Sequence, residues 1–187
     1  MYKHLIFGLD GTIADTLPSI TDSVNVTLKY FHDPHHYRVD EVYNFVGYGT
    51  PYLLKKAFDN EQINLEQVLA IYLPVQLKIH LKKAKLFPDL LLTLNTLKER
   101  GYKLYIATNK PIEVAPKVIN QLYGKNFFKD AIYQKGDMPV ENHLAAFAPA
   151  GLTSYIIPDN VKSIGTGAFS QYSELRKIYC KRRCSVL

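Results

Sequence analysis

Residues 5–9, Leu5-Ile6-Phe7-Gly8-Leu9, form a short apolar run that Asp10-Gly11-Thr12 ends, and no second strand-like run follows until Lys103. Between them the apolar spacing is helical. Leu17, Ile20, Val24, Leu28 and Phe31 share one helical face that Asp33-Pro34 closes. Asp40 to Phe45 reads as a second helical piece. A third follows Thr50-Pro51, where Thr50 can cap and Pro51 can take the first helical position. Leu65 to Lys83 is a long helix that Pro74 is expected to bend or divide.

The pattern changes after residue 84. Phe87-Pro88-Asp89 leads a helix through Leu97 that stops at Gly101, and Lys103 to Thr108 is strand-like. Asn109-Lys110-Pro111 turns into a helix carrying Val114, Val118 and Leu122 that ends near Gly124. Ala131-Ile132-Tyr133 precedes Gly136-Asp137 as a strand, and a helix is expected from Pro139 to about Ala148. Ser154 to Ile157 reads as a strand and Ser173 to Tyr179 as a terminal helix. This alternation predicts an α/β fold with a parallel sheet. Residues 1–15 and 85–187 make its core, and 16–84 form an all-helical cap inserted after strand one, at the sheet edge where such folds place their sites.

A chain of 187 residues that is 47% hydrophobic can bury one sizeable core, and no stretch repeats at a solenoid or propeller period. No apolar run has the length of a membrane span, and the N-terminus lacks the apolar segment of a signal peptide, so a cytoplasmic location is expected. The net charge of +6 is concentrated at Lys78/Lys82/Lys83/Lys85 and Lys177/Lys181/Arg182/Arg183. Neither cluster joins an aromatic strand pattern or a helix-turn-helix, which argues against nucleic acid. Cys180 and Cys184 are too few for a disulfide framework or a Cys-rich zinc site.

Loops leaving strand ends carry the chemistry of open α/β sheets, and three stand out: Asp10-Gly11-Thr12, Thr108-Asn109-Lys110 and Gly136-Asp137. Carboxylates hold a hard cation such as Mg²⁺, while hydroxyls, backbone N–H groups and a lysine take anionic oxygens. Ordinary polar turns and helix caps are the competing explanation for each loop taken singly.

These residues resemble the haloacid-dehalogenase-like superfamily of phosphohydrolases, most closely its phosphoglycolate-phosphatase-like members with a helical cap. The resemblance rests on Gly8-Leu9-Asp10-Gly11-Thr12 followed by Ile13-Ala14-Asp15-Thr16, on YIATNKP from Tyr105 to Pro111, and on Gly136-Asp137-Met138-Pro139-Val140-Glu141. Phe87-Pro88, the Leu94 to Tyr102 stretch and Val46-Gly47-Tyr48-Gly49 also fit. The resemblance implies that Asp10 is the general acid/base, Thr108 the hydroxyl that binds phosphoryl oxygens and Asp137 an acidic Mg²⁺ ligand. Glu141 then stands where the motif often has a second aspartate, and Asp10 shares the metal.

Two departures shape the functional expectation. Where the family places an aspartate that attacks phosphorus and binds Mg²⁺, this chain has Gly8, which can do neither. The family also places a lysine on a strand-loop-helix unit between its second and fourth motifs. Here Phe127 to Tyr133 runs into Gln134-Lys135-Gly136-Asp137, leaving no room for a crossover of about a dozen residues. Lys110, and less directly Lys135, are the candidate substitutes. A missing strand would leave apolar surface that self-association could cover. A different assignment makes Pro158-Asp159-Asn160 the acidic loop after an Ile156-Ile157 strand.

Three further features have plainer explanations. His32, His35 and His36 lie near Asp33 and Asp40, but Pro34 breaks the spacing and a solvated turn accounts for them. Tyr30, Phe31, Tyr37, Tyr43, Phe45, Tyr48, Tyr52 and Phe58 suit cap packing better than a pocket lining. The ending Cys184-Ser185-Val186-Leu187 has the form of a prenylation box with basic residues and Cys180 upstream, which would anchor the protein to a membrane in a eukaryotic cytosol. The leading expectation is a phosphatase-derived fold that has lost its nucleophilic route and retains binding of Mg²⁺, phosphate or a small phosphorylated molecule. An active hydrolase in which Asp10 or Asp137 activates water, and a non-catalytic interaction protein, are the alternatives.

Overall fold

The computed structural model describes residues 4–134, together with the short strands at 154–157, 163–164, 177–180 and 185–186. A parallel sheet carries β1 (His4–Phe7), β2 (Lys103–Pro111) and β3 (Asp130–Gln134), in that order. β1 supplies the first strand and the chain then leaves the sheet for 16–84, returning only at β2. The α/β architecture with its parallel sheet and flanking helices is therefore present.

The excursion contains α1 (Leu17–Tyr30), the one-turn α2 (Val39–Val42), a 3-10 turn at Tyr43–Phe45, α3 (Thr50–Ala57) and α4 (Leu65–Lys83). Ile20, Val24 and Leu28 recur at four-residue steps along α1 and pack with Leu53, Leu54, Val68 and Tyr72 into an apolar cluster of their own. A second cluster lies against the sheet, where Leu9, Ile13, Leu104 and Ile106 meet Leu94 of α5 (Leu90–Glu99) and Ile119 of α6 (Ala115–Tyr123). The two crossings between these regions run side by side. Asp15 N–H donates to Lys85 O at 2.8 Å and Lys85 N–H returns to Asp15 O at 3.2 Å, an isolated antiparallel bridge.

Several local expectations are corrected. α4 is not divided at Pro74 but runs through it. Pro74 and Ala70 both lie on the exposed face, so the Ala70 carbonyl that Pro74 leaves without a helical donor faces water. Thr50 is the first residue of α3 and makes no side-chain cap; Gly49, at φ 89°, holds the N-cap position. Asn109-Lys110-Pro111 belong to β2 and not to a turn. There the register against β3 shifts, since Thr108 faces Tyr133 and Pro111 faces Gln134. An irregularity of this kind at a strand end redirects side chains, and Lys110 comes out buried.

At the C-terminal side, β4 (Ser154–Ile157) pairs in parallel with β6 (Lys177–Cys180), and β5 (Ser163–Ile164) with β7 (Ser185–Val186). The expected helix at Ser173 to Tyr179 is thus replaced at Lys177–Cys180 by a strand. Partnered residues are separated by 23 positions in the first pair and 22 in the second, a near-constant interval that the composition alone did not disclose. These strands pair with one another and not with β1, β2 or β3. The helix expected from Pro139, the Pro158-Asp159-Asn160 loop and Cys184 lie outside the described residues.

Candidate functional site

β1 ends at Phe7, and the chain passes through Gly8 into a tight loop in which Leu9 O accepts from the N–H groups of Thr12, Ile13 and Ala14. Gly11 takes φ 72°, a conformation that glycine adopts without steric cost. The loop sets Asp10 over the end of β2. Its Oδ1 accepts a 2.6 Å hydrogen bond from Thr16 Oγ1 and a 2.8 Å ion-paired bond from Lys110 Nζ. Lys110 N–H donates to Thr108 Oγ1 at 3.1 Å, so Thr108, Lys110 and Asp10 form one connected group.

This group is largely dry. The side chains of Lys110 and Asp10 are 1% and 17% exposed, and Thr108 and Thr16 are buried. Burial pushes the Asp10 carboxyl upward, but the Lys110 charge and the hydrogen bonds from Lys110 and Thr16 outweigh it and hold it below the ordinary carboxylate value. Asp10 is therefore a carboxylate at neutral pH, with both of its described donors on one oxygen.

The helical region closes over the strand ends. Asn109 Nδ2 donates to Gly47 O at 2.8 Å, and the Thr50 N–H donates to Oε1 of the buried Gln134 at 3.2 Å. α4 covers the group from the same side. Its buried residues are Val68, Tyr72, Gln76 and His80, one per turn, so its inward face is apolar at the start and polar toward Lys83. Gln76 Nε2 donates to Tyr72 Oη at 2.9 Å, while Gln76 Oε1 and both ring nitrogens of His80 have no hydrogen-bond partner. Burial and the Lys110 charge lower the His80 pKa to about 3, with Asp10 opposing them. The backbone of Gln76, one turn back, also raises it.

Asp10, Thr108 and Lys110 are thus assembled, whereas Asp137, Glu141 and Lys135 lie outside the described residues. No group of three or more His, Cys, Asp or Glu residues among the described residues could hold a metal ion. For Mg²⁺, which takes about six oxygen ligands, the described residues offer the free oxygen of Asp10 and no second carboxylate at Gly8. They do not make a Mg²⁺ site by themselves. The histidines near Asp33 form the expected turn, with His35 N and Nδ1 both on Asp33 Oδ1. The aromatics divide: Phe31, Tyr37, Phe45 and Phe58 pack in the helical cluster, whereas Tyr30, Tyr43, Tyr48 and Tyr52 are exposed. Among the described residues no helix is long and apolar enough to cross a membrane.

Thr16, Gln76, His80 and Gln134 escaped the sequence reading. Tyr72, Gln76 and His80 at successive four-residue steps are a polar stripe on an apolar helix, a signal available in the sequence. Gln134 carries no comparable sign, because its role depends on where α3 begins.

Residues 5–142 match the family model described as haloacid dehalogenase-like hydrolase. The chain is similar to a phosphoglycolate phosphatase of Psychrobacter arcticus, 32% identical over 129 residues that cover 64% of this chain and 55% of that one. A phosphoglycolate phosphatase of Haemophilus influenzae is 33% identical over 119 residues, 59% of this chain and 53% of its own. The chain thus spans little more than half the length of these curated relatives. Among solved structures, one from Lactobacillus delbrueckii subsp. bulgaricus superposes with a TM-score of 0.70 at 22% identity, over 95% of this chain and 85% of that one. CbbY from Rhodobacter sphaeroides in complex with phosphate gives 0.66 at 12% identity, over 100% and 93%. At these identities the superpositions show a shared fold.

Proposed function

Because the chain belongs to the haloacid dehalogenase-like hydrolase family, we propose that it is a phosphate-binding member in which covalent phosphomonoester hydrolysis is lost or strongly impaired. The observation that carries this reading is Gly8. At the mouth of β1 it has no atom that can attack phosphorus, and Asp10 two residues on is bound by Lys110 and Thr16. A general acid can protonate a leaving group and later activate water, but it has no covalent intermediate to resolve when the nucleophile is absent. Removing the nucleophile takes away stabilisation specific to the transition state and leaves ground-state binding largely in place.

The chemistry left to this chain is binding. Lys110 brings a buried positive charge, and Thr108, two positions earlier on the same strand, brings a hydroxyl. A phosphate group suits that set, with Lys110 exchanging its contact with Asp10 for the anion. Asp137 and Glu141 belong to the same reading as the carboxylates that would complete a Mg²⁺ site with Asp10, and no step is derived through that ion. The relatives named above act on phosphoglycolate by name, which makes a small phosphorylated molecule the ligand class for this site.

The test is release of phosphate from small phosphomonoesters by the parent chain, by Gly8→Asp and by Asp10→Asn. A silent parent with measurable turnover in Gly8→Asp is the expected result. A Cβ at Gly8 would lie 3.1 Å from Thr12 Oγ1, and Thr12 is exposed and free to give by the few tenths of an ångström required. Robust parent turnover that Asp10→Asn abolishes would overturn the proposal in favour of direct water activation.

A further inference from the structure

The inward face of α4 holds polar atoms that nothing among the described residues satisfies. His80 is 0% exposed and Gln76 2% exposed, yet His80 Nδ1, His80 Nε2 and Gln76 Oε1 find no hydrogen-bond partner among the described residues. Each such buried atom forfeits its bonds to water, and sites of this kind are kept where something else supplies the partner. The two residues sit one turn apart on one helix face. They lie close enough to Lys110 and Asp10 for both charges to act on the imidazole, and Asp10 acts likewise on Tyr72.

We propose that His80 and Gln76 bind the hydroxylated end of a phosphomonoester whose phosphate is held by Lys110 and Thr108. This rests on the phosphate-binding reading above and adds the chemical class of the rest of the ligand. A neutral imidazole presents one N–H donor and one lone pair, and Gln76 Oε1 presents a second acceptor. Gln76 Nε2 already donates to Tyr72 Oη, at 2.9 Å, while its Oε1 is unpartnered among the described residues, so it meets the ligand through its oxygen. A hydroxyl both donates and accepts and satisfies such a set. A carboxylate only accepts, and it would bring a second negative charge toward Asp10 and the lone pairs of Gln76 while Lys110 is already taken by the phosphate. Burial keeps His80 uncharged through the neutral range, so it does not supply a cation. Because both residues are buried, binding requires α4 to move away from the strand ends.

The experiment is isothermal titration of the full chain with inorganic phosphate, glycerol 3-phosphate and 2-phosphoglycolate, repeated on His80→Phe and Gln76→Met. The parent is expected to bind glycerol 3-phosphate about tenfold more tightly than 2-phosphoglycolate, the scale of one or two well-made hydrogen bonds. Each variant should lose that preference by weakening glycerol 3-phosphate more than it weakens inorganic phosphate, with melting curves confirming that both are folded. Equal or tighter binding of 2-phosphoglycolate by the parent overturns the inference, as does a preference that survives both variants. Variants that melt higher than the parent while no preference exists would show that the orphaned atoms hold only water, which also overturns it. If inorganic phosphate binds and no preference is seen, this inference falls alone; if no phosphate compound binds, the phosphate-binding reading falls with it.

Discussion

Lys110 Nζ lies 2.8 Å from Asp10 Oδ1, a cation with 1% of its side chain exposed against a carboxylate with 17% exposed. The site thus pairs its one described acid with the lysine best placed to receive an anion. Removing one partner from such a pair leaves a charge without compensation, which costs far more than the pair contributes in net terms. Lys110→Met is therefore expected to destabilise the fold by about 3 kcal/mol, the lower end of the range because Asp10 keeps some contact with water. Urea denaturation gives the measure, through a lower midpoint at an unchanged slope. Adding Asp10→Asn should restore part of the loss, and additive effects of the two changes would contradict the pairing.

The closure of the helical region over β3 depends on Gly49 and Gln134. A Cβ on Gly49 would stand 2.7 Å from Gln134 Nε2 and 2.9 Å from its Oε1, at a φ of 89° that other residues rarely adopt. Gly49→Ala should cost more than about 1 kcal/mol from the backbone conformation, with the clash added to it. Gln134→Ala removes the acceptor of the Thr50 N–H and should cost roughly 1–3 kcal/mol. With the clash gone, Gly49→Ala is expected to cost less in the Gln134→Ala background than in the parent. Equal costs in a double-mutant cycle would remove Gln134 from this contact.

Pro74 offers a test in the opposite direction. It stands on the exposed side of a helix that continues through it, so Pro74→Ala restores one backbone hydrogen bond without disturbing the buried face of α4. A proline inside a helix costs about 3 kcal/mol against alanine, and its stiffening of the unfolded chain returns up to about 1 kcal/mol. Pro74→Ala should raise stability by about 1–2 kcal/mol and leave the helical circular dichroism unchanged. A gain in helical signal would mean that the helix is broken at Pro74 in solution.

Much of this arrangement was legible from local pattern. The four-residue steps of Ile20, Val24 and Leu28 marked α1, because they bury one consistent face, and the apolar run of Leu104 to Ala107 marked β2, the middle strand, which is buried on both faces. Asp10, Thr108 and Lys110 were found together because strand ends present their loops to a common edge. What local pattern missed was decided by tertiary context. The irregular register at Thr108 to Pro111 kept Lys110 within a strand, and solvent beside Ala70 let α4 run through Pro74. Lys177–Cys180 forms a strand because a parallel partner lies 23 residues earlier, and a seven-residue window contains no trace of that partner.

His80 and Asp10 separate two windows of pH dependence. His80 ionises at an ordinary value of 6.5 when unfolded and at about 3 when folded, chiefly because burial penalises its charged form and Lys110 adds repulsion. Between those values the unfolded chain binds the proton and the folded chain does not, so stability falls as pH falls. The slope approaches about 1.4 kcal/mol per pH unit. Asp10 contributes differently: its folded value lies below the ordinary carboxylate value of 3.8, so its contribution is complete above that value and is lost only as pH drops beneath it. His4 is also lowered, by burial and by Lys103, and persists as a common background in every variant. His80→Phe is therefore expected to flatten the decline in unfolding free energy between about pH 6 and 4.5, and Asp10→Asn to leave that decline in place while flattening the limb below about pH 4. Denaturant titrations at half-unit steps of pH measure both, and a His80→Phe profile parallel to the parent's from pH 6 to 4.5 would show that the imidazole is not held neutral beneath α4.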